Sequence, residues 1–210
     1  MSSRREALGP STHTIGLTGN IATGKSLVGR MLAELGAEHI DADRLAHQVM
    51  AHRTEAWCEI VEAFGQQITQ PNGEIDRREL GRIVFADPAA LVRLEQIVHP
   101  RVIARTRILI EVSQAPVVVI EAIKLIESGM VRQLCDALWV VIAPREVQLE
   151  RLVRLRGMSR SEALLRINAQ PSQEHKAALA DVVIDNGGAI EATHRQVECA
   201  WAEIISTRNK

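Results

Sequence analysis

Short apolar runs alternate with longer segments of helical period along the chain. Residues 13–18 predict a short buried strand, and residues 25–35 a helix closed by Gly36. Residues 38–40 form a second strand ending in Asp41-Ala42-Asp43. From residue 44 to 114 the pattern is mainly helical. It is broken by Gln70-Pro71-Asn72-Gly73, a turn by composition, and by Asp87-Pro88, which suits a helix start. Pro100, within His99-Pro100-Arg101, predicts a further break or kink. Residues 116–121 are β-branched and apolar up to Glu121, as in a strand buried on both faces. Residues 137–142 predict another strand and 145–156 a helix. Ser159 and Glu162 have capping-box spacing for the next helix. Residues 182–184 are the last strand, and a final helix runs over about 190–205.

Strands separated by helices predict an α/β fold, a parallel sheet with helices on both faces. Ligands of such sheets bind at the carboxyl ends of the strands. The 210 residues suit one large domain, or a core carrying an inserted lobe. Aromatic residues make up only 2%, with no Tyr, which argues against a base-stacking platform for nucleic acid. The net charge of -1 supplies no field for DNA, RNA or an anionic membrane. No apolar run reaches the length of a membrane span. Cys58, Cys135 and Cys199 are odd in number and far apart, so free thiols in a reducing compartment are expected rather than zinc or disulfides. Residues 1–12 are polar and lack the apolar stretch of a secretory signal; they read as a disordered tail, and the cytoplasm follows by default.

The chemistry concentrates after the first strand, in Gly19-Asn20-Ile21-Ala22-Thr23-Gly24-Lys25-Ser26. The Gly-x-x-x-x-Gly-Lys-Ser spacing between strand and helix is that of a phosphate-binding loop. Gly19 and Gly24 permit unusual backbone angles, and the loop turns its N–H groups onto phosphates. Lys25 reaches the β- and γ-phosphates of ATP, and the Ser26 hydroxyl holds Mg²⁺. Asp41 and Asp43 lie two apart, on one side of an extended segment. Asp43 suits a general base for an attacking hydroxyl; Asp41 suits a helix cap, metal ligand or substrate contact. Glu121 ends its strand as an acid for the metal or substrate, and Lys124 stands near enough to pair with it or with a phosphate. Arg145, Arg151, Arg154, Arg156, Arg160 and Arg166 cluster on two predicted helices. Most belong to a solvated face, with one or two expected over the γ-phosphate from a closing lid. Arg77, His99 and Arg101 are candidates for an anionic substrate.

These residues resemble the dephospho-coenzyme A kinase family over about residues 14–204. The resemblance is carried by the phosphate loop, Ile40-Asp41-Ala42-Asp43, Gly73-Glu74-Ile75-Asp76-Arg77, Val98-His99-Pro100, Glu127-Ser128-Gly129, Gln148-Leu149-Glu150-Arg151-Leu152, Arg166-Ile167 with Gln170, and Ala180-Asp181-Val182-Val183-Ile184-Asp185-Asn186. It implies ATP- and Mg²⁺-dependent phosphorylation of the ribose 3′-hydroxyl of dephospho-CoA, the last step of coenzyme A biosynthesis. A monomer is expected, although the sequence does not fix the oligomeric state. The resemblance implies a core over 13–45 and 111–210, a helical acceptor lobe over about 46–110 and a lid over about 145–175. Asp43 falls on the family's general base, Arg156 on a lid arginine and Asn186 near the adenine. The family usually has Gly at positions 20 and 22 and Thr at 27, where this chain has Asn20, Ala22 and Leu27. Asn20 is expected to take a positive φ easily. Leu27 removes a hydroxyl from the α-phosphate and is expected to weaken ATP binding. Glu121-Ala122-Ile123-Lys124 replaces the family's Asp-x-Pro-Leu, losing a proline and gaining a lysine.

Two other readings compete. Another phosphate-loop kinase, of a nucleoside or nucleotide, would use the same Asp pair; the acceptor lobe decides between them. A non-catalytic nucleotide-binding regulator is disfavoured by intact Lys25, Ser26 and Asp43.

Overall fold

A computed structural model describes residues 12–123, 125, 129 and 132–208. Its strands are β1 (His13–Gly19), β2 (Glu38–Asp41), β3 (Val117–Glu121), β4 (Ala137–Ile142) and β5 (Val182–Asp185). The helices are α1 (Lys25–Glu34), α2 (Ala42–Val49), α3 (Glu55–Phe64), α4 (Arg77–Ala86), α5 (Pro88–Val112), α6 (Arg145–Arg156), α7 (Arg160–Asn168), α8 (Gln173–Ala178) and α9 (Ile190–Arg208). The strands pair in parallel in the order β2-β3-β1-β4-β5. The chain forms two compact units: one ends at Asp41 and resumes at Ile110, and the other is Ala42–Leu109.

In the first unit the sheet core fits its sequence. All five residues of β3 are buried, as is every residue of β1 after His13. Ile15, Leu17, Val117, Val119, Trp139, Val141 and Ile184 pack with Val28, Met31 and Leu32 of α1 and Val197 of α9. Each such side chain, fully buried, stabilises the fold by about 1.5–3 kcal/mol. Gly16 is small for a steric reason: a Cβ there would lie 2.6 Å from Leu125 Cδ2 and 2.9 Å from Cys135 Sγ. Burial pushes the Cys135 thiol up to about 12, so it stays protonated and unreactive. All three cysteines are free.

The second unit is helical. Thr54 caps α3, its Oγ1 accepting from Trp57 N at 3.1 Å. Asp76 caps α4, accepting from Arg78 N at 2.9 Å and Glu79 N at 3.1 Å. The turn at 70–73 forms with Gly73 at φ 85, and its carbonyl accepts from Trp57 Nε1 at 2.9 Å. No helix among the described residues is long and apolar enough to cross a membrane.

One expectation is corrected in part: Pro100 does not break its helix. α5 is a continuous 25-residue helix that runs through Pro100. Pro100 cannot donate to the carbonyl of Gln96, so the helix loses a hydrogen bond. Burial holds the helix together on both sides: Val98 and Val102 are 7% and 0% exposed. The Arg101 guanidinium adds a donor beside the gap, reaching the Ile97 carbonyl at 2.7 Å and Glu59 at 2.6 Å. Pro100→Ala is therefore expected to raise the unfolding free energy by about 1–2 kcal/mol in urea denaturation. A loss of stability would mean that the helix needs the proline.

Candidate active site

β1 delivers the chain to the phosphate loop and α1 carries it away. The turn between them needs backbone angles that side chains resist. Gly19 has φ 153 and Gly24 φ 99. A Cβ on Gly19 would lie 2.3 Å from the Val141 carbonyl oxygen, and one on Gly24 2.0 Å from Asn186 Nδ2. The expected ease of a positive φ at Asn20 is corrected: the left-handed residue is Ala22, at φ 59. That conformation costs an L-residue about 1–2 kcal/mol.

Side chains hold the loop by its carbonyl oxygens. Lys25 is buried, and its Nζ donates to Gly19 O at 2.9 Å and Asn20 O at 3.3 Å. Arg151 donates through Nη1 to Ala22 O and Thr23 O, each at 3.1 Å, and through Nη2 to Asn186 O at 2.7 Å. Asn186 Nδ2 donates to Thr23 O at 2.7 Å, and Asn186 Oδ1 accepts from Thr193 Oγ1 at 3.1 Å. Thr23 Oγ1 closes the turn on Asn20 O at 2.9 Å. Ile21 N donates to Gln170 Oε1 at 2.7 Å, and Asn20 Nδ2 to Pro171 O at 2.8 Å. With these carbonyls bonded to side chains, the loop amides other than Ile21 N and Thr23 N, which donate to Gln170 Oε1 and to Asn20 O, are the ones that can meet an anion. No described side chain caps α1, and its first turn holds no acid, so its positive end faces the same place.

Beside the loop lies a second cluster. Ser26 Oγ donates to Glu121 Oε1 at 2.9 Å, and His39 Nε2 bonds Glu121 Oε2 at 3.1 Å. Burial pushes the Glu121 carboxyl up. The hydrogen bonds from His39 and Ser26, with the attraction of His39 and Lys25, outweigh it and hold the group below its ordinary 4.5. An ionised carboxylate joined to a hydroxyl oxygen suits a hard divalent cation that takes oxygen ligands and shares them with phosphates.

The structure thus brings together Gly19 through Ser26, Glu121 and Asn186. Leu27 is half-buried and packs on the sheet core instead of facing the loop. The Asn186 side chain is committed to the loop and to Thr193. Asp41 is exposed at the end of β2, in register with Glu121. Arg156 is exposed at the last position of α6. Asp43 (first turn of α2), Arg77 (first residue of α4), His99 and Arg101 belong to the second unit. There Asp43 and Arg77 are exposed, His99 is half-buried, and Arg101 pairs with Glu59. Lys124 and Glu127-Ser128 lie outside the described residues. Four residues that hold the site had no role read for them: His39, Gln170, Thr193 and, beyond its place in the arginine cluster, Arg151. Arg151 and Gln170 lie in stretches that carry the family resemblance, and His39 lies two residues before Asp41 and so on the same side of the strand; Thr193 left no such signal.

A five-stranded parallel sheet flanked by helices, with a glycine-gated loop entering a helix at a strand's carboxyl end, defines a phosphate-loop kinase. The family model for CoaE, dephospho-CoA kinase, matches residues 13–192. The dephospho-CoA kinase of Streptomyces avermitilis is 46% identical over 191 residues, covering 91% of this chain and 93% of that protein. Among solved structures, TT1252 from Thermus thermophilus superposes with a TM-score of 0.81 at 34% identity, covering 92% of this chain and 98% of that one. The dephospho-CoA kinase from Campylobacter jejuni superposes with a TM-score of 0.66 at 28% identity, covering 94% and 98%. The chain belongs to the dephospho-CoA kinase family.

The state of Glu121 gives a test in pH. Its folded pKa lies below its unfolded one, so the charge stabilises the fold above the unfolded value. That contribution is lost as pH falls through the folded value. The stability difference between the protein and its Glu121→Gln variant is expected to shrink as pH falls below 4.5, the group's ordinary value. A difference that grows on acidification would reverse the assignment.

Proposed function

We propose that this chain transfers the γ-phosphoryl group of ATP to the ribose 3′-hydroxyl of dephospho-CoA, giving CoA and ADP, the final step of coenzyme A biosynthesis. The observation that carries the reading is the tied-back loop with Lys25 at its centre, in a chain matched to the family over residues 13–192. The loop amides and the N-terminus of α1 bind the β- and γ-phosphates. Lys25 neutralises charge as the bond from the γ-phosphorus to the β-phosphate oxygen breaks. Asp43 accepts the proton of the 3′-hydroxyl as its oxygen bonds to the γ-phosphorus. Arg156, on the predicted lid, adds positive charge over the transferring group. Ser26 and Glu121, with Asp41 beside them, hold Mg²⁺, which when bound offsets negative charge on the phosphates. Asn186 and Arg151 border the adenine side of the loop. The helical unit, through Arg77, His99 and Arg101, receives the acceptor, a small molecule.

ADP release from ATP and Mg²⁺ tests the substrate. Dephospho-CoA is expected to support turnover, with a product that comigrates with CoA; adenosine and AMP are not. Turnover with adenosine or AMP instead would favour a nucleoside or nucleotide kinase, and none with any acceptor a nucleotide-binding regulator. Asp43→Asn is expected to lower kcat by about two to four decades while ATP affinity, measured by calorimetry, changes little. Near-normal turnover in that variant would remove Asp43 from the role of base.

A further inference from the structure

We propose that His39 is a positioning residue for the cation: it fixes the Glu121 carboxylate against Ser26 and thereby sets the affinity of the site for Mg²⁺. The proposal rests on the reading that Ser26 and Glu121 hold the cation. A glutamate side chain has three rotatable bonds, and fixing them opposes the entropy of a free chain. Here both of its oxygens are held, one by each neighbour. Oε1 accepts from Ser26 Oγ at 2.9 Å, and Oε2 lies 3.1 Å from His39 Nε2. An ionised carboxylate only accepts, so Nε2 carries the hydrogen and donates it.

The imidazole is itself held in place. It lies against α1 at Gly29, where an added Cβ would stand 3.0 Å from Nε2, 3.3 Å from Cε1 and 3.4 Å from Cδ2. Gly29 follows Ser26 by three residues, so it lies on the same side of the helix. One face of α1 therefore supplies both the hydroxyl and the gap that takes the ring. β2 brings His39, β3 brings Glu121 and α1 brings Ser26. Because Ser26 donates its hydrogen to Glu121, its oxygen lone pairs are left for a cation. Loss of a partner that orients a metal ligand typically costs about tenfold to a hundredfold in metal affinity or activity.

The test follows Mg²⁺ binding rather than turnover. Full-length protein is saturated with a fluorescent ribose-labelled ADP, and Mg²⁺ is titrated while fluorescence is recorded. His39→Leu is expected to raise the Mg²⁺ midpoint about tenfold or more, while affinity for the labelled ADP in EDTA stays within about twofold. His39→Gln, whose amide N–H can replace the donor, is expected to recover most of the loss. Gly29→Ala, which crowds the ring without altering His39, is expected to shift the midpoint in the same direction and serves if His39→Leu does not fold. An unchanged midpoint in His39→Leu, or in Gly29→Ala where that variant stands in for it, overturns the proposal. So does equal loss in the Gln and Leu variants. Glu121→Gln separates the two levels. If it weakens Mg²⁺ binding and His39→Leu does not, only the role of His39 falls. If it has no effect, the cation assignment falls and the His39 proposal with it.

Discussion

The site depends on where the carbonyl oxygens of the phosphate loop point. A turn of backbone presents donors on one side only if its acceptors are satisfied on the other. Here Gly19, Asn20, Ala22 and Thr23 each give their carbonyl to a neighbour: Lys25, Thr23, Arg151 or Asn186. Two of these neighbours carry full positive charge. Their hydrogen bonds are stronger than neutral ones, and their charge adds to the field that an anion meets. A buried ammonium such as Lys25 is tolerable because loop carbonyls replace its water.

The same constraint orders the surroundings. Arg151 on α6 reaches the loop and the residue after β5 with one planar group, joining three segments that are far apart in sequence. Asn186 repeats the link with its side chain, and Thr193 at the start of α9 fixes which way that amide faces. Gln170 and Pro171, in the segment between α7 and α8, accept from Ile21 N and Asn20 Nδ2. The segment between α7 and α8 is thereby bonded directly to the loop.

Much of this architecture was legible in sequence because it depends on local periodicity. The apolar run of β3, the glycine-lysine spacing of the loop and the Ser159 cap are local patterns, and each formed where expected. What escaped was non-local. The bonds from Arg151 to Ala22 and from Asn186 to Thr23 span 129 and 163 residues, and no local pattern encodes them. The six arginines near α6 and α7 look alike in sequence; burial and reach alone distinguish Arg151 from Arg156. The absence of a break at Pro100 has a related reason. A proline's local penalty of about 3 kcal/mol is smaller than the burial holding α5 on both sides of it.

Asn20, Ala22 and Leu27, where this chain differs from the usual pattern, are each absorbed by packing or bonding. Leu27 is half-buried and packs against the sheet core. Asn20 is buried, and its amide bonds the Pro171 carbonyl, a link that glycine cannot make. Ala22 alone is placed against its preference, at a cost of about 1–2 kcal/mol. Its carbonyl accepts from the charged Arg151, and a hydrogen bond of that kind contributes about 1.5–3 kcal/mol. The two are of similar size, so the hydrogen bond offsets the backbone strain and the loop keeps its shape without a glycine at that position. That balance makes the conformation of Ala22 a consequence of α6 rather than of the loop sequence.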